Sequence, residues 1–130
     1  MSPPPATSAA FSIASRLRSV AYALAGIGFM LRTQHNAWLH LVATIGVVVL
    51  GVVFGVAASD WRWLVASIFV VWSAECFNTA VEYVCDVVSP DFSEAVKHAK
   101  DISAGAVLIS AVGAAVIGAI TFWPYLRAAF

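Results

Sequence analysis

The chain has 130 residues, of which 62% are hydrophobic and only 11% are charged, and its mean hydropathy is +0.90. This composition is far too apolar for an ordinary soluble domain, and the length allows one domain. The formal net charge is zero, so no nucleic-acid partner is indicated. We therefore expect an all-α integral membrane protein, with one domain over residues 11–130.

The first segment, "MSPPPATSAA" at residues 1–10, is expected to be a disordered tail because it consists mainly of proline and small residues. It carries no basic residue before the first apolar run, so it does not have the pattern of a secretory signal.

The second segment, residues 11–33, has apolar residues at helical spacing and arginines near both ends. This pattern predicts an amphipathic helix that lies on the membrane surface. A short fourth membrane span is the alternative. Two glycines within the segment and its three arginines favour the surface helix, and these residues are Gly26, Gly28, Arg16, Arg18 and Arg32.

Three later segments are long enough to cross a bilayer, which takes about 20 apolar residues each. They are residues 37–58, 61–88 and 102–123. Pro90 disfavours helix at the residue before it, so we expect the second span to end in the "SPD" turn. The first span contains "GVVFG", from Gly51 to Gly55, which permits close helix packing but also arises by chance in apolar helices.

The basic residues predict the orientation in the membrane. With three spans, five of the seven fall on one side, and the positive-inside rule places that side in the cytoplasm. The N-terminus is therefore predicted to be cytoplasmic, and Trp61, Trp63, Trp123 and Tyr125 would form an aromatic belt at the outer interface. The five residues are Arg16, Arg18, Arg32, Lys97 and Lys100.

Five polar residues within the second span are predicted to share one face of its helix. At about 100° per residue, all fall within about 60° of Glu75. Ionisable residues in a span usually face a protein interior or a water-filled cavity and mark function. We call this set the polar strip, and it consists of Glu75, Asn78, Thr79, Glu82 and Asp86.

Three carboxylates on one face repel each other unless positive charge lies among them. One candidate is Lys100, which is followed by Asp101 at the cytoplasmic end of the third span. Another is Mg²⁺, which proteins hold with one or two carboxylates together with substrate phosphates. These groups are the parts that phosphoryl transfer requires. The chain lacks a GxxxxGK[ST] phosphate loop, which excludes a soluble-type nucleotide fold but leaves a proton or cation pathway open.

The cysteines and histidines do not form a recognisable metal site. Cys76 and Cys85 lie nine residues apart on one predicted helix, too far apart to pair within the chain. The three histidines have no ligand spacing such as HExxH, so we interpret each as a hydrogen-bonding residue, and they are His35, His40 and His98.

Two motifs resemble those of the prokaryotic diacylglycerol kinase family, which includes undecaprenol kinases. "ECFNTAVEYVCD" resembles its signature of Glu-x-x-Asn-Thr-Ala, an aliphatic residue, Glu, and Asp four positions later. "AKDISAGAVL", residues 99–108, resembles its second conserved block, and the likeness extends over about residues 15–122. It implies a homotrimer of three-span subunits that uses Mg-ATP, with active sites between neighbouring subunits at the cytoplasmic face of the bacterial inner membrane.

The resemblance also implies roles for residues of the polar strip. Glu75 matches the proposed general base, which takes the proton from the lipid hydroxyl. Glu82 matches a metal ligand, and Asn78 matches a polar residue that supports this site on the substrate side. Asp86 resembles the carboxylate on the nucleotide side.

Other matching positions lie outside the strip. Lys100 matches the lysine that contacts the nucleotide phosphates, with Asp101 beside it. Tyr22 and Gly26 resemble the surface-helix positions near nucleotide and substrate, respectively.

The chain departs from the family at Gln34, where relatives often have a glutamate that is a second metal ligand. Gln34 would offer a neutral amide oxygen, a weaker ligand, and Asn36 lies close enough in sequence to help. We therefore expect an ATP- and Mg²⁺-dependent kinase that phosphorylates the hydroxyl of diacylglycerol or undecaprenol. The alternatives are a catalytically impaired relative that acts as a membrane scaffold, and a carboxylate-lined proton or cation pathway.

Overall fold

Four helices account for most of the chain in the computed structural model, which describes residues 12–129. The tail predicted at residues 1–10 lies outside the described residues. The helices are α1 (Ile13–Thr33), α2 (His35–Val53), α3 (Ala58–Val88) and α4 (Glu94–Ala129). The expected all-helical class is confirmed, and three helices, α2, α3 and α4, are long and apolar enough to cross a membrane.

The first spanning helix, α2, ends at Val53, earlier than the predicted residue 58, because a glycine turn stops it. Gly55 has a φ of +60°, a conformation that suits glycine because it has no side chain. The backbone N–H of Val56 bonds the carbonyl of Gly51, and the N–H of Gly55 bonds that of Val52. These two bonds form a Schellman motif, which satisfies carbonyls that the helix end would leave free.

The two glycines of "GVVFG" therefore have different roles, and Gly51 is the one that permits close packing. A Cβ added at Gly51 would lie 2.6 Å from Cζ2 of Trp61, on the neighbouring helix α3. We expect Gly51→Ala to destabilise the protein by about 1–3 kcal/mol, because the rigid indole ring must shift. Thermal unfolding in detergent would measure this loss.

Gly46 offers the matched control for that substitution. It lies on the same helix, and a Cβ there would meet no atom within 4 Å. Gly46→Ala should leave stability unchanged or raise it slightly, since alanine favours helix more than glycine does. Equal stability of the two variants would show that the Gly51–Trp61 contact has no energetic importance.

The last helix, α4, begins at Glu94, eight residues before the predicted span. Its first two turns are polar, so hydropathy alone does not mark them as helix. An ion pair at i,i+4 spacing joins Lys97 to Asp101 at 3.3 Å, and at the same spacing Nε2 of His98 lies 3.8 Å from a carboxylate oxygen of Glu94. Such pairs support a helix on its exposed face. Between α3 and α4, the chain turns at residues 89–93, which agrees with the turn predicted at "SPD".

The most extensive helix contact is between α3 and α4, and it is fixed at the predicted outer end. Val56, Leu64 and Phe122 form a buried apolar cluster there. Beside it, the Tyr125 hydroxyl donates to Asp60 at 2.7 Å and accepts the backbone N–H of Ala57 at 3.0 Å. Most other large apolar side chains are exposed, as expected for surfaces that face lipid or neighbouring protein.

A single residue separates α1 from α2. Gln34 adopts an extended backbone between the two helices, and no proline or glycine is present to cause the break. Its side chain instead bonds to α3, which is described below. The N-terminal helix α1 was predicted to lie on the membrane surface; its helical structure is confirmed and its position at a membrane stays a prediction.

Candidate active site

The polar strip runs along α3 from a buried end to an exposed end. Glu75, Asn78 and Thr79 are buried, with 1%, 5% and 6% of their surface exposed. Glu82 is half-buried one turn further, and Asp86 is exposed near the end of the helix. The strip therefore forms a path of polar groups from the helix bundle to the turn that was predicted to be cytoplasmic.

Two amides meet the carboxylate of Glu82 at the middle of the strip. The Gln34 side chain donates from Nε2 to Oε2 of Glu82 at 2.9 Å. The Asn78 side chain donates from Nδ2 to Oε1 at 3.3 Å. The residue that separates α1 from α2 thus has its side chain bonded to α3.

Ser103 lies on α4, the third spanning helix, and connects that helix to these side chains. No sequence pattern had indicated this contact. Its hydroxyl lies 2.7 Å from Oδ1 of Asn78 and 2.9 Å from the carbonyl oxygen of Lys100. A hydroxyl has one hydrogen to donate and can also accept. If the Asn78 amide turned by half a rotation, Ser103 could still donate to Lys100 and accept from Asn78.

By this half-rotation, the Asn78 amide can direct either its oxygen or its N–H group toward Glu82. A half-rotation of the Gln34 amide would likewise turn its oxygen toward Glu82. One carboxylate with amide oxygens is a donor set that suits Mg²⁺. Among residues 12–129, no three His, Cys, Asp or Glu side chains lie close enough to form a metal cluster. Gln34, Asn78 and Glu82 therefore fit a Mg²⁺ site with one carboxylate rather than a site formed by several carboxylates.

Asp86 and Lys100 form an ion pair at the exposed end of the strip, and this pair connects α3 to α4. Both line a shallow recess of about 300 Å³ beside the turn at residues 89–93. Asp101 borders the same recess, but its carboxylate points to Lys97 and is mostly exposed. Lys100 and Asp101 thus lie beside each other without sharing a partner.

Glu75 lies at the buried end, where one of its oxygens lacks a hydrogen bond. Among the described residues, Oε2 has no hydrogen-bond partner. The nearest opposite group is Nε2 of His40 on α2, at 3.8 Å. Thr79 bonds the backbone carbonyl of Glu75 and leaves its carboxylate free.

The two residues predicted on the first helix have different surroundings. Gly26 lines a recess of about 400 Å³ between α1 and α3, together with Thr79 and Tyr83. Tyr22 is 74% exposed, one turn earlier on α1. The structure therefore brings Gly26 near the strip, while the Tyr22 side chain faces outward.

The fold and the polar strip together define a helical membrane protein with carboxylates, amides and a lysine at one end of its bundle. Comparison with known sequences gives a class for this arrangement. The profile of the prokaryotic diacylglycerol kinases matches residues 21–122. This range includes every element of the site described above.

Two relatives of known name have similar sequences. The undecaprenol kinase of Bacillus subtilis is 32% identical over 109 residues, which cover 84% of this chain and 89% of that protein. The diacylglycerol kinase of Synechocystis sp. is 33% identical over 111 residues, which cover 85% of this chain and 63% of that protein. The chain belongs to the prokaryotic diacylglycerol kinase family and is a lipid kinase.

Proposed function

We propose that this chain transfers the γ-phosphoryl group of ATP to the hydroxyl of a membrane lipid, diacylglycerol or undecaprenol, at the cytoplasmic face of the bacterial inner membrane. The observation that carries the proposal is the polar strip, which joins a buried carboxylate to an exposed Asp86–Lys100 pair along one helix. The reaction needs both surroundings in one site, because the lipid hydroxyl requires the buried end and the soluble nucleotide requires the exposed end.

Glu75 is the proposed general base. Its carboxylate is 1% exposed and has one oxygen without a hydrogen-bond partner among the described residues, so that oxygen is free to accept a proton. A base that is shielded from bulk water also disfavours transfer of the phosphoryl group to water. In the proposed step the lipid oxygen bonds to phosphorus, its proton passes to Glu75, and ADP leaves.

Glu82 and Gln34 are the proposed holders of Mg²⁺, with Asn78 in support. A carboxylate and amide oxygens are ligand types that suit this ion. The two amides would turn their oxygens toward it by a half-rotation, which Ser103 permits for Asn78. Bound Mg²⁺ would supply the charge that neutralises the phosphate oxygens of ATP.

Lys100 and Asp86 are proposed to bind the nucleotide. The ammonium group of Lys100 lies at the recess beside residues 89–93, where a phosphate chain can approach from solvent. Asp101 and Tyr22 would add contacts to the nucleotide, and Gly26 would leave room for the lipid between α1 and α3. A homotrimer with sites between subunits would complete the surroundings of these exposed residues.

An assay of ATP consumption in detergent micelles tests the proposal. We expect consumption with diacylglycerol or undecaprenol that is well above the rate without lipid. The lipid with the higher kcat/KM identifies the acceptor. If neither lipid nor any other lipid alcohol raises the rate, the proposed transfer is wrong.

Lys100→Met tests the nucleotide side. Removing one charge that stabilises a transition state costs about 10²-fold in rate. We expect kcat to fall by about that factor and KM for ATP to rise, with less change in KM for the lipid. Steady-state kinetics at varied ATP and varied lipid would separate these effects.

Arg127→Met is the control, because it also removes one positive charge from α4. Arg127 lies in the last turn of this helix, at the end opposite Lys100, so its effect should be much smaller. If Lys100→Met changed only the KM for the lipid, the two substrates would have been placed at the wrong ends of the strip.

Gln34→Glu tests the metal site where this chain departs from its family. A second carboxylate beside Glu82 would attract Mg²⁺ more strongly, since this ion prefers charged oxygen. We expect the free Mg²⁺ needed for half-maximal rate to fall by about tenfold, equivalent to about 1.4 kcal/mol. Initial rates at fixed ATP and varied free Mg²⁺ would measure the midpoint.

The same variant offers a measurement that needs no activity. Without a cation the two carboxylates repel each other, so Mg²⁺ should raise the melting temperature of Gln34→Glu more than that of the wild type. An unchanged midpoint together with an unchanged thermal shift would remove Gln34 from the metal site. Its place would then pass to Asn36 or to a carboxylate of a neighbouring subunit.

A further inference from the structure

His40 lies in the second turn of α2 and faces the buried end of the polar strip. Its side chain is 16% exposed, and its Nε2 is 3.8 Å from Oε2 of Glu75. That distance is longer than a hydrogen bond, for which N–H···O distances are about 2.7–3.2 Å. It is short enough that a small side-chain rotation would form one.

No other side chain among the described residues serves this oxygen of Glu75. Thr79 donates to the backbone carbonyl of Glu75, and Asn78 donates to Glu82. The other titratable groups of the strip are carboxylates, which repel a second carboxylate rather than bond to it. Among the described residues, His40 is therefore the basic side chain that lies within 4 Å of Oε2.

A hydrogen-bond partner for the Glu75 carboxylate is important for two reasons. A buried carboxylate without hydrogen bonds is unfavourable, because it has lost water without replacement. A general base must also be held in one orientation, since small displacements of reacting groups cost large factors in rate. The N–H of a histidine side chain can meet both requirements.

We propose that His40 is a positioning residue for Glu75: its Nε2–H holds the carboxylate in the orientation from which it accepts the proton of the lipid hydroxyl. This inference rests on the proposed function, in which Glu75 is the base. His40 itself does not touch the reacting atoms, and nothing in the comparisons with relatives assigns it a role.

A purely structural role for His40 must be separated from this one. The residue also lines an apolar cavity of about 330 Å³ between α2, α3 and α4, so a smaller side chain could disturb packing. His40→Gln keeps an N–H donor at a similar reach, whereas His40→Leu keeps bulk and loses the donor. The two variants therefore distinguish the hydrogen bond from the packing.

Kinetics of these variants form the first test. We expect His40→Leu to lower kcat by about 10- to 100-fold, the range found for residues that orient metal ligands by a hydrogen bond, with little change in either KM. His40→Gln should recover most of the loss. In a Glu75→Gln background, His40→Leu should cause no further loss, because residues that act as a unit are not additive.

His98→Leu is the matched control, since His98 is exposed and pairs with Glu94 at the start of α4. It should keep the wild-type kcat. Wild-type kcat in His40→Leu, equal losses in the Leu and Gln variants, or full additivity with Glu75→Gln would each overturn the inference. Failure of the wild type to phosphorylate any lipid would instead contradict the proposed function.

A second measurement tests the His40–Glu75 contact directly and does not depend on enzyme activity. The chain has three histidines, so imidazole ¹⁵N signals in detergent micelles can be assigned by single substitutions. Glu75→Gln should shift the signals of His40 and leave those of His35 and His98 in place. Unchanged His40 signals would overturn the inference whatever the kinetics show.

Discussion

Glu75→Gln should reduce kcat by about 10²- to 10⁴-fold, the usual cost of losing a general base. Glutamine keeps the size and polarity of the side chain but cannot accept the proton. Binding of ATP should persist, because Asp86 lies 11 residues further along α3 than Glu75, about 16 Å at 1.5 Å per residue, and Lys100 pairs with Asp86. Single-turnover rates and ATP binding in micelles would measure both effects.

The same substitution should leave thermal stability equal or higher. Glu75 is buried with one oxygen unpaired among the described residues, and a neutral amide removes the cost of burying charge there. Activity and stability would then change in opposite directions, as expected where a site retains unfavourable groups for function. Wild-type turnover in Glu75→Gln would remove this residue from the mechanism.

Asp60→Asn is the matched control on the same helix. Asp60 accepts a hydrogen bond from Tyr125 at the opposite end of α3, far from the polar strip. This change from carboxylate to amide should therefore alter stability more than kcat. A large loss of kcat in Asp60→Asn would mean that any disturbance of α3 lowers activity.

Glu82→Gln is expected to have the second large effect. It removes the carboxylate that Gln34 and Asn78 surround and leaves three neutral amides. Loss of a metal that stabilises charge costs several kcal/mol, which corresponds to about 10²-fold or more in rate. The residual activity should show no dependence on free Mg²⁺, and Mg²⁺ should no longer raise the melting temperature.

Glu94→Gln provides the control for that result, because Glu94 is an exposed glutamate at the start of α4. Its Mg²⁺ midpoint should equal that of the wild type. If Glu82→Gln kept a normal midpoint, the metal would have to be held elsewhere, and Glu82 would have only a structural role.

The helical class, the three spans and the face shared by the polar strip were predictable from sequence. Hydropathy identifies the spans, and the 100° period of a helix is enough to align Glu75 with Asn78 and Glu82. The burial of Glu75, Asn78 and Thr79 agrees with that alignment. The family followed from the two motifs, and the match over residues 21–122 confirms it.

The partners of the strip on other helices were not predictable in this way. Helical periodicity says which residues share a face but not which residue of another helix lies opposite. His40 is 35 positions from Glu75, and Ser103 is 25 positions from Asn78. The break between the first two helices was predicted between residues 33 and 37, and the structure has it at Gln34, but the contact of this side chain with Glu82 on α3 was not predictable.

The most direct test of the account is transfer of label from γ-³²P-ATP to lipid in micelles that contain Mg²⁺. The wild type should place label in the extracted lipid, in diacylglycerol or in undecaprenol, at a rate that matches its consumption of ATP. Glu75→Gln should place almost none there. Consumption of ATP by the wild type with no labelled lipid, or label in the lipid at equal rates with both proteins, would contradict the account.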